Sequence, residues 1–157
     1  MIGHRIFVIL SGVVILVDQI SKQLVLYTFA QNERLEVIPG FFTLTHVRNT
    51  GGAFGLFAGK ATIIRTAFFL VVSCVAVGIL WYLYRTMAKG RKWIEAGFAL
   101  ILAGAVGNMI DRFRFGEVVD FLDLHIGVYH WPAFNVADSA ICVGVGILVV
   151  NMLRNRL

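Results

Sequence analysis

Apolar residues run almost without interruption through four stretches of the chain, at about residues 6–29, 62–84, 93–110 and 136–153. A helix needs about 20 such residues to cross the hydrocarbon core of a bilayer, and it closes its backbone hydrogen bonds within itself. The pattern therefore predicts four transmembrane helices. Between the first two, residues 35–57 are rich in β-branched and aromatic residues, with Pro39-Gly40 and Gly51-Gly52 as turn signals, which predicts a small sheet or hairpin. Phe41, Phe42, Phe54 and Phe57 make that segment too apolar for a free loop, so it is expected to rest on the membrane surface. A second long connection spans residues 112–135. Pro39 and Pro132 fall in these connections, where a missing amide donor costs little. The expected architecture is an all-α membrane protein, a single domain over residues 1–157, with four transmembrane helices and a small extracytoplasmic β-rich cradle.

Composition agrees. Of 157 residues, 59% are hydrophobic and 15% charged, with a mean hydropathy of +0.82, whereas soluble domains carry about 25% charged residues. Four spans and their connections use nearly the whole length and leave no room for a soluble domain. The net charge of +5 comes without a basic cluster interleaved with aromatics, so no nucleic-acid partner is expected. The basic residues set orientation instead. Arg5, Arg85, Lys89, Arg91, Lys92, Arg154 and Arg156 place seven cations against one acid, Glu95, on the side that holds both termini. That side is expected to be cytoplasmic. Cys74 and Cys142 lie in apolar runs and provide neither a disulfide framework nor a CxxC site. The first run lacks a small-x-small cleavage site and is followed by three similar runs, so it is expected to be a retained helix.

Against this background the buried acids stand out, because a carboxylate at membrane depth costs several kcal/mol unless it is paired. Asp18 lies in the first span with Lys22 four residues on, an order that favours an ion pair. A structural pair is the expectation, with a direct chemical role as the alternative. In the third span Ala99, Ala103 and Gly107 recur every fourth residue, a stripe that permits close helix approach, and Asp111 continues it toward protein rather than lipid. Asn108 and Asp111 close the third span at the depth where Asn135 and Asp138 open the fourth. Asn135 is placed to act as an N-cap, with Asp138 at the third helical position near free amides and the positive dipole end. For Asn108, Asp111 and Arg112 the structural reading is a hydrogen-bonded helix end with a local ion pair.

Between those ends, Asp120 is flanked by Val119 and Phe121 in a short apolar segment that also carries Glu117 and Asp123. Such packing favours the protonated carboxyl, whereas the helix start at Asp138 favours the ionised one. Two carboxyls held in opposite states can share a proton and activate one water, and the 18-residue separation permits that meeting without requiring it. Other chemistries fit less well. His46, His125 and His130 lack zinc-protease spacing, and no metal or other cofactor is expected. Neither Ser21 nor Ser73 has a lysine on its own face at its own depth. His125 and His130 are expected at the loop surface or an interface. Gly51-Gly52 has no P-loop after it. Two non-enzymatic readings remain open at this level: a small transporter or channel subunit, which would spread polar groups through the bilayer, and an assembly subunit binding partner helices through the small-residue stripe.

Five segments, in order, resemble the bacterial lipoprotein signal peptidase (signal peptidase II) family: residues 17–22 (VDQISK), 48–55 (RNTGGAFG), 107–112 (GNMIDR), 116–121 (GEVVDF) and 132–139 (PAFNVADS). The resemblance covers essentially the full chain and departs only at Gly52, where many members carry alanine. It implies an aspartic endopeptidase of the bacterial inner membrane that removes the signal peptide from diacylglyceryl-modified prolipoproteins; a monomer is the separate expectation for its assembly. Carried over by motif, Asp120 and Asp138 would form the catalytic dyad. Asn49, Gly51, Ala53, Asn108, Arg112 and Asn135 would line the site, and Asp18, Lys22 and Asp111 would support it. The substrate would be a lipidated prolipoprotein signal peptide in contact with membrane lipid.

Overall fold

The computed structural model describes residues 2–51, 59, 62–88 and 90–154. Its elements are α1 (Ile2–Thr28), β1 (Arg34–Ile38), β2 (Phe42–Asn49), α2 (Ile63–Met87), α3 (Lys92–Phe115), β3 (Val118–Ile126), β4 (Tyr129–His130) and α4 (Val136–Leu153). All four helices are long and apolar enough to cross a membrane. The fold is thus mostly helical with a small antiparallel sheet, as the apolar pattern predicts.

The fourth span has the expected bounds, but the other three helices are longer. The largest difference is in α3, which runs to Phe115 rather than ending near residue 110. Arg112 and Arg114 lie in its last turn, where cations meet the negative end of the helix dipole. Gly116 then stops the helix with φ of 77°, and its N–H donates to the Arg112 carbonyl at 2.9 Å. Glycine adopts this left-handed conformation without steric cost, and the turn sends the chain straight into β3.

Helix α3 is central and packs against α1, α2 and α4. Two small-residue rows on it serve two neighbours. On the first, Ala99 accepts a hydrogen bond from Ser11 of α1 at 3.2 Å, and Gly107 faces Asp18. The second row was not singled out in the sequence: a Cβ added at Gly104 would lie 2.3 Å from the Ala137 carbonyl oxygen of α4, and Gly97 abuts Gly144. The lipid-facing surfaces remain apolar, as at Leu16, Ile20 and Leu24 of α1 and Phe68, Val71 and Val75 of α2.

The sheet has strand order β1-β2-β3-β4, all antiparallel. The predicted hairpin over residues 35–57 accounts for β1 and β2, with Pro39-Gly40 at its turn. Phe41 is exposed and Phe42 half-buried, while Gly52, Ala53, Phe54 and Phe57 lie outside the described residues. The residues around Asp120 form a full strand, β3, which extends the sheet beyond that hairpin. By connectivity, the sheet, the ends of α1 and α3 and the starts of α2 and α4 share one end of the bundle.

Candidate active site

Asp120 and Asp138 reach their positions by separate routes. In β3, Asp120 pairs with Val47 of β2, next to a register shift between Leu44 and Val47. Bulges of this kind bend a strand and re-aim its side chains. On the other route, the Phe134 N–H donates to the Leu122 carbonyl at 3.0 Å, and the Phe134 carbonyl accepts from Phe121 and Leu122 at 3.0 and 2.8 Å. This clamp sets the next residue, Asn135, beside Asp120.

Asn135 is fully buried and holds both acids. It is the predicted N-cap of α4: its side-chain oxygen accepts from the Asp138 N–H at 3.0 Å, and its own N–H donates to Asp138 Oδ2 at 3.2 Å, a reciprocal capping box. Its amide nitrogen donates to Asp120 Oδ1 at 2.7 Å and to Asn108 Oδ1 at 3.2 Å. Asn108 in turn donates to Asp138 Oδ1 at 2.8 Å, and Asn49 donates to Asp120 Oδ2 at 3.0 Å. Three asparagines therefore supply amide donors to two carboxyl groups. Asn49 Oδ1 also accepts from the Gly51 N–H at 2.9 Å, and the Gly51 carbonyl accepts from Arg112 at 3.0 Å. The chain after β2 is thereby tied to the same constellation. Asn49, Asn108, Arg112, Asp120 and Asp138 all line one cavity of about 610 Å³, whose other walls are mostly apolar and come from β3, residues 131–134 and α4.

Asp120 is 2% exposed. Loss of solvation, and then the nearby charge of Asp138, push its carboxyl up to about 7, against the opposing pull of the amide donors from Asn49 and Asn135.

Behind the cavity lies a second polar layer. Lys22 Nζ sits 3.0 Å from Asp18, 2.8 Å from Asp111 and 3.0 Å from Asn108 Oδ1. The predicted Asp18–Lys22 pair is present, but the ion partner of Asp111 is Lys22 rather than its neighbour Arg112, whose guanidinium turns to the Gly51 carbonyl and the Phe69 ring. The two acids of this layer each take a backbone amide just before a cavity aspartate. Asp18 Oδ1 accepts from Ala137 N–H at 2.9 Å, and Asp111 Oδ2 accepts from Val119 N–H at 3.1 Å. Gln19 joins the layer by donating to Asp18, Asp111 and the Gly107 carbonyl. The sequence reading gave Gln19 no role, although a polar residue beside Asp18 in an apolar run was a usable signal.

Nearly every candidate residue within the described part of the chain is thus in one network. The histidines are not. His46 and His125 are both buried, so the expectation of a surface place for His125 is corrected. Its ring stacks on His130 at 4.5 Å and its Nε2 meets Thr43 Oγ1 at 3.0 Å, because β3 packs this position against β2 and β4. His130 is more exposed and contacts Asp123, which also pairs with Arg34. Among the described residues no group of three or more His, Cys, Asp or Glu could hold a metal ion.

Comparison with known proteins identifies the family. A family model described as signal peptidase (SPase) II matches residues 10–154. A lipoprotein signal peptidase of Desulforapulum autotrophicum is 54% identical over 149 residues, covering 94% of this chain and 91% of that protein. One from Syntrophus aciditrophicus is 49% identical over 152 residues, covering 96% and 94%. A bacterial membrane enzyme solved by the in meso method at 2.3 Å resolution matches with a TM-score of 0.85 and 33% identity, covering 95% of this chain and 88% of that one. With nearly its whole length matched in sequence and in fold, the chain belongs to the signal peptidase II family of lipoprotein signal peptidases.

Proposed function

We propose that the protein is a membrane-embedded aspartic endopeptidase that removes the signal peptide from diacylglyceryl-modified prolipoproteins, with Asp120 and Asp138 as its catalytic dyad. The observation that carries this reading is the double grip of Asn135, which binds Asp138 through its backbone and Asp120 through its side chain, the two acids that line one cavity. The names of the relatives supply the substrate class.

The chemistry follows from the unequal surroundings of the two acids. Asp120, with its carboxyl raised to about 7, is the neutral member at rest. Asp138, fed by the α4 capping box and the Asn108 amide, is the anionic one. The anion takes a proton from a water held between them, the resulting hydroxide attacks the scissile carbonyl carbon, and the neutral acid donates to the carbonyl oxygen. Collapse of the tetrahedral intermediate passes a proton to the leaving amine and restores one shared proton on the pair. Asn49, Asn108 and Asn135 fix the carboxyl groups, while Arg112 is a cation at the cavity wall that can orient the peptide.

The basic residues at the opposite end of the bundle support a cytoplasmic place for that end and both termini, with the cavity opening at the extracytoplasmic interface of the inner membrane. A signal helix in the bilayer reaches it sideways, with its acylated cysteine still in lipid. The test is cleavage by the purified monomeric protein of one prolipoprotein with and without its diacylglyceryl group. Cleavage of the lipidated form alone is expected. No cleavage of either form, or equal cleavage of both, overturns the reading.

A further inference from the structure

Arg48 belongs to one of the family-like segments, yet the cavity network gives it no role. With Arg114 it forms a cationic cluster outside the cavity, joined to the polar layer behind it through Gln19. The Arg48 guanidinium lies 5.0 Å from the centre of the Phe115 ring, and that of Arg114 lies 4.6 Å from the same centre. Phe115 packs on the buried cluster of Val25, Val119 and Phe121, so the ring is a fixed platform. Both guanidinium groups are oriented by neutral acceptors. Arg48 Nε donates to His46 Nε2 at 3.1 Å, and His46 in turn directs Nδ1 at the Phe29 carbonyl, 3.0 Å away. Arg114 donates to Gln19 Oε1 at 3.4 Å and Gln23 Oε1 at 3.2 Å.

Among the described residues, which include every Asp and Glu of the chain, neither arginine forms a salt bridge. Two like charges are therefore held at one ring without a counter-ion, a costly arrangement unless an anion is supplied from outside. The location says what kind. The cluster sits where α1 and α3 end at the sheet, beside the exposed apolar row Leu16, Ile20 and Leu24 and the exposed side chains of Tyr27 and Phe113. Apolar chains below and cations at the rim match the two parts of a phospholipid. A cation–π contact leaves the outer N–H groups of a guanidinium free for a phosphate, which arginine binds through its planar fork.

We propose that Arg48 and Arg114, braced on Phe115, form a site for the phosphodiester headgroup of an anionic phospholipid at the membrane interface on the sheet end of the bundle. A zwitterionic lipid is disfavoured there because its ammonium group would meet the same two cations. The site is separate from the cavity of Asp120 and Asp138 and does not depend on the reaction assigned to them.

The test uses the full-length protein in nanodiscs or mixed micelles and measures competition between phosphatidylglycerol and phosphatidylcholine by native mass spectrometry. Preference for phosphatidylglycerol is expected to fall about fivefold for Arg48→Gln or Arg114→Gln and roughly 25-fold for the double variant. The Arg48→Lys/Arg114→Lys variant, which keeps the charge but loses the planar fork, is expected to fall between the parent and the double Gln variant. Inorganic phosphate at millimolar concentration is expected not to displace the lipid. A double Gln variant with undiminished preference, or release of the lipid by inorganic phosphate, overturns the proposal.

Discussion

The buried cation behind the cavity offers a test of how the site is held in place. Lys22 is 2% exposed and bridges Asp18 and Asp111, which are 0% and 1% exposed, so water cannot replace it when it is removed. Lys22→Met leaves two carboxylates facing each other across an apolar side chain. Breaking a buried pair by deleting one partner costs about 3–5 kcal/mol, which in a protein of this length lowers the melting temperature by on the order of 10 °C. The loss comes from stranded charge rather than from a missing contact, so it is reversible by design. In Asp18→Asn/Lys22→Met/Asp111→Asn no charge remains, while the side-chain oxygens still accept from Ala137 and Val119, the hydrogen bonds that set the two cavity aspartates. Replacing a whole buried ionic group by neutral residues is often neutral or better. The triple variant is therefore expected to melt near the parent and well above Lys22→Met, with thermal unfolding followed in one detergent throughout. A Lys22→Met protein as stable as the parent, or a triple variant less stable than Lys22→Met, refutes the reasoning.

Three further outcomes follow from other parts of the fold. Because the carboxyl of Asp120 is raised from 3.8 to about 7, the folded protein holds a proton there that the unfolded chain releases. Its contribution to stability is full below pH 3.8 and is lost as the pH rises through 7. Asp120→Asn should flatten that part of a stability-versus-pH curve, and parent activity should fall on the alkaline side of about 7. Gly107→Ala would place a Cβ 2.6 Å from Asp18 Oδ2, so it should displace the carboxyl that holds the Ala137 amide, lowering stability by about 1–3 kcal/mol and activity by more than tenfold. Glu95, buried near the opposite end of the bundle, has an Oε2 with no hydrogen-bond partner among the described residues; Glu95→Gln should raise the melting temperature, since a neutral amide is less costly to bury than a charge.

What the sequence made legible was mostly local. The Asn135–Asp138 capping box and the Asp18–Lys22 pair span one helical turn, so spacing alone predicts them, and both are present. The extent of β3 was not legible, because its partner β2 lies about 70 residues earlier and its nine residues mix apolar and acidic positions. The same non-local pairing hid the burial of His125. The partner of Asp111 was misread for a related reason. Arg112 adjoins it in sequence, but Lys22 meets it only once α1 packs on α3. The second small-residue row, Gly97 and Gly104, has a seven-residue spacing that is ordinary in an apolar helix and acquires meaning only against α4. Glu95 was counted among the charges on its side of the membrane, and only the packing of the bundle shows it to be buried.

The central claim is that Asp120 and Asp138 together activate one water, and the most direct measurement is the cleavage rate of a diacylglyceryl-modified prolipoprotein by purified Asp120→Asn and Asp138→Asn variants, each first shown to be folded. Asparagine keeps the size and the hydrogen-bonding shape of each side chain but cannot exchange a proton. The account predicts that each single variant loses about a hundredfold to ten-thousandfold in rate, and that the double variant loses little more, since the two acids act as one unit. Cleavage at the parent rate by either folded variant would contradict it.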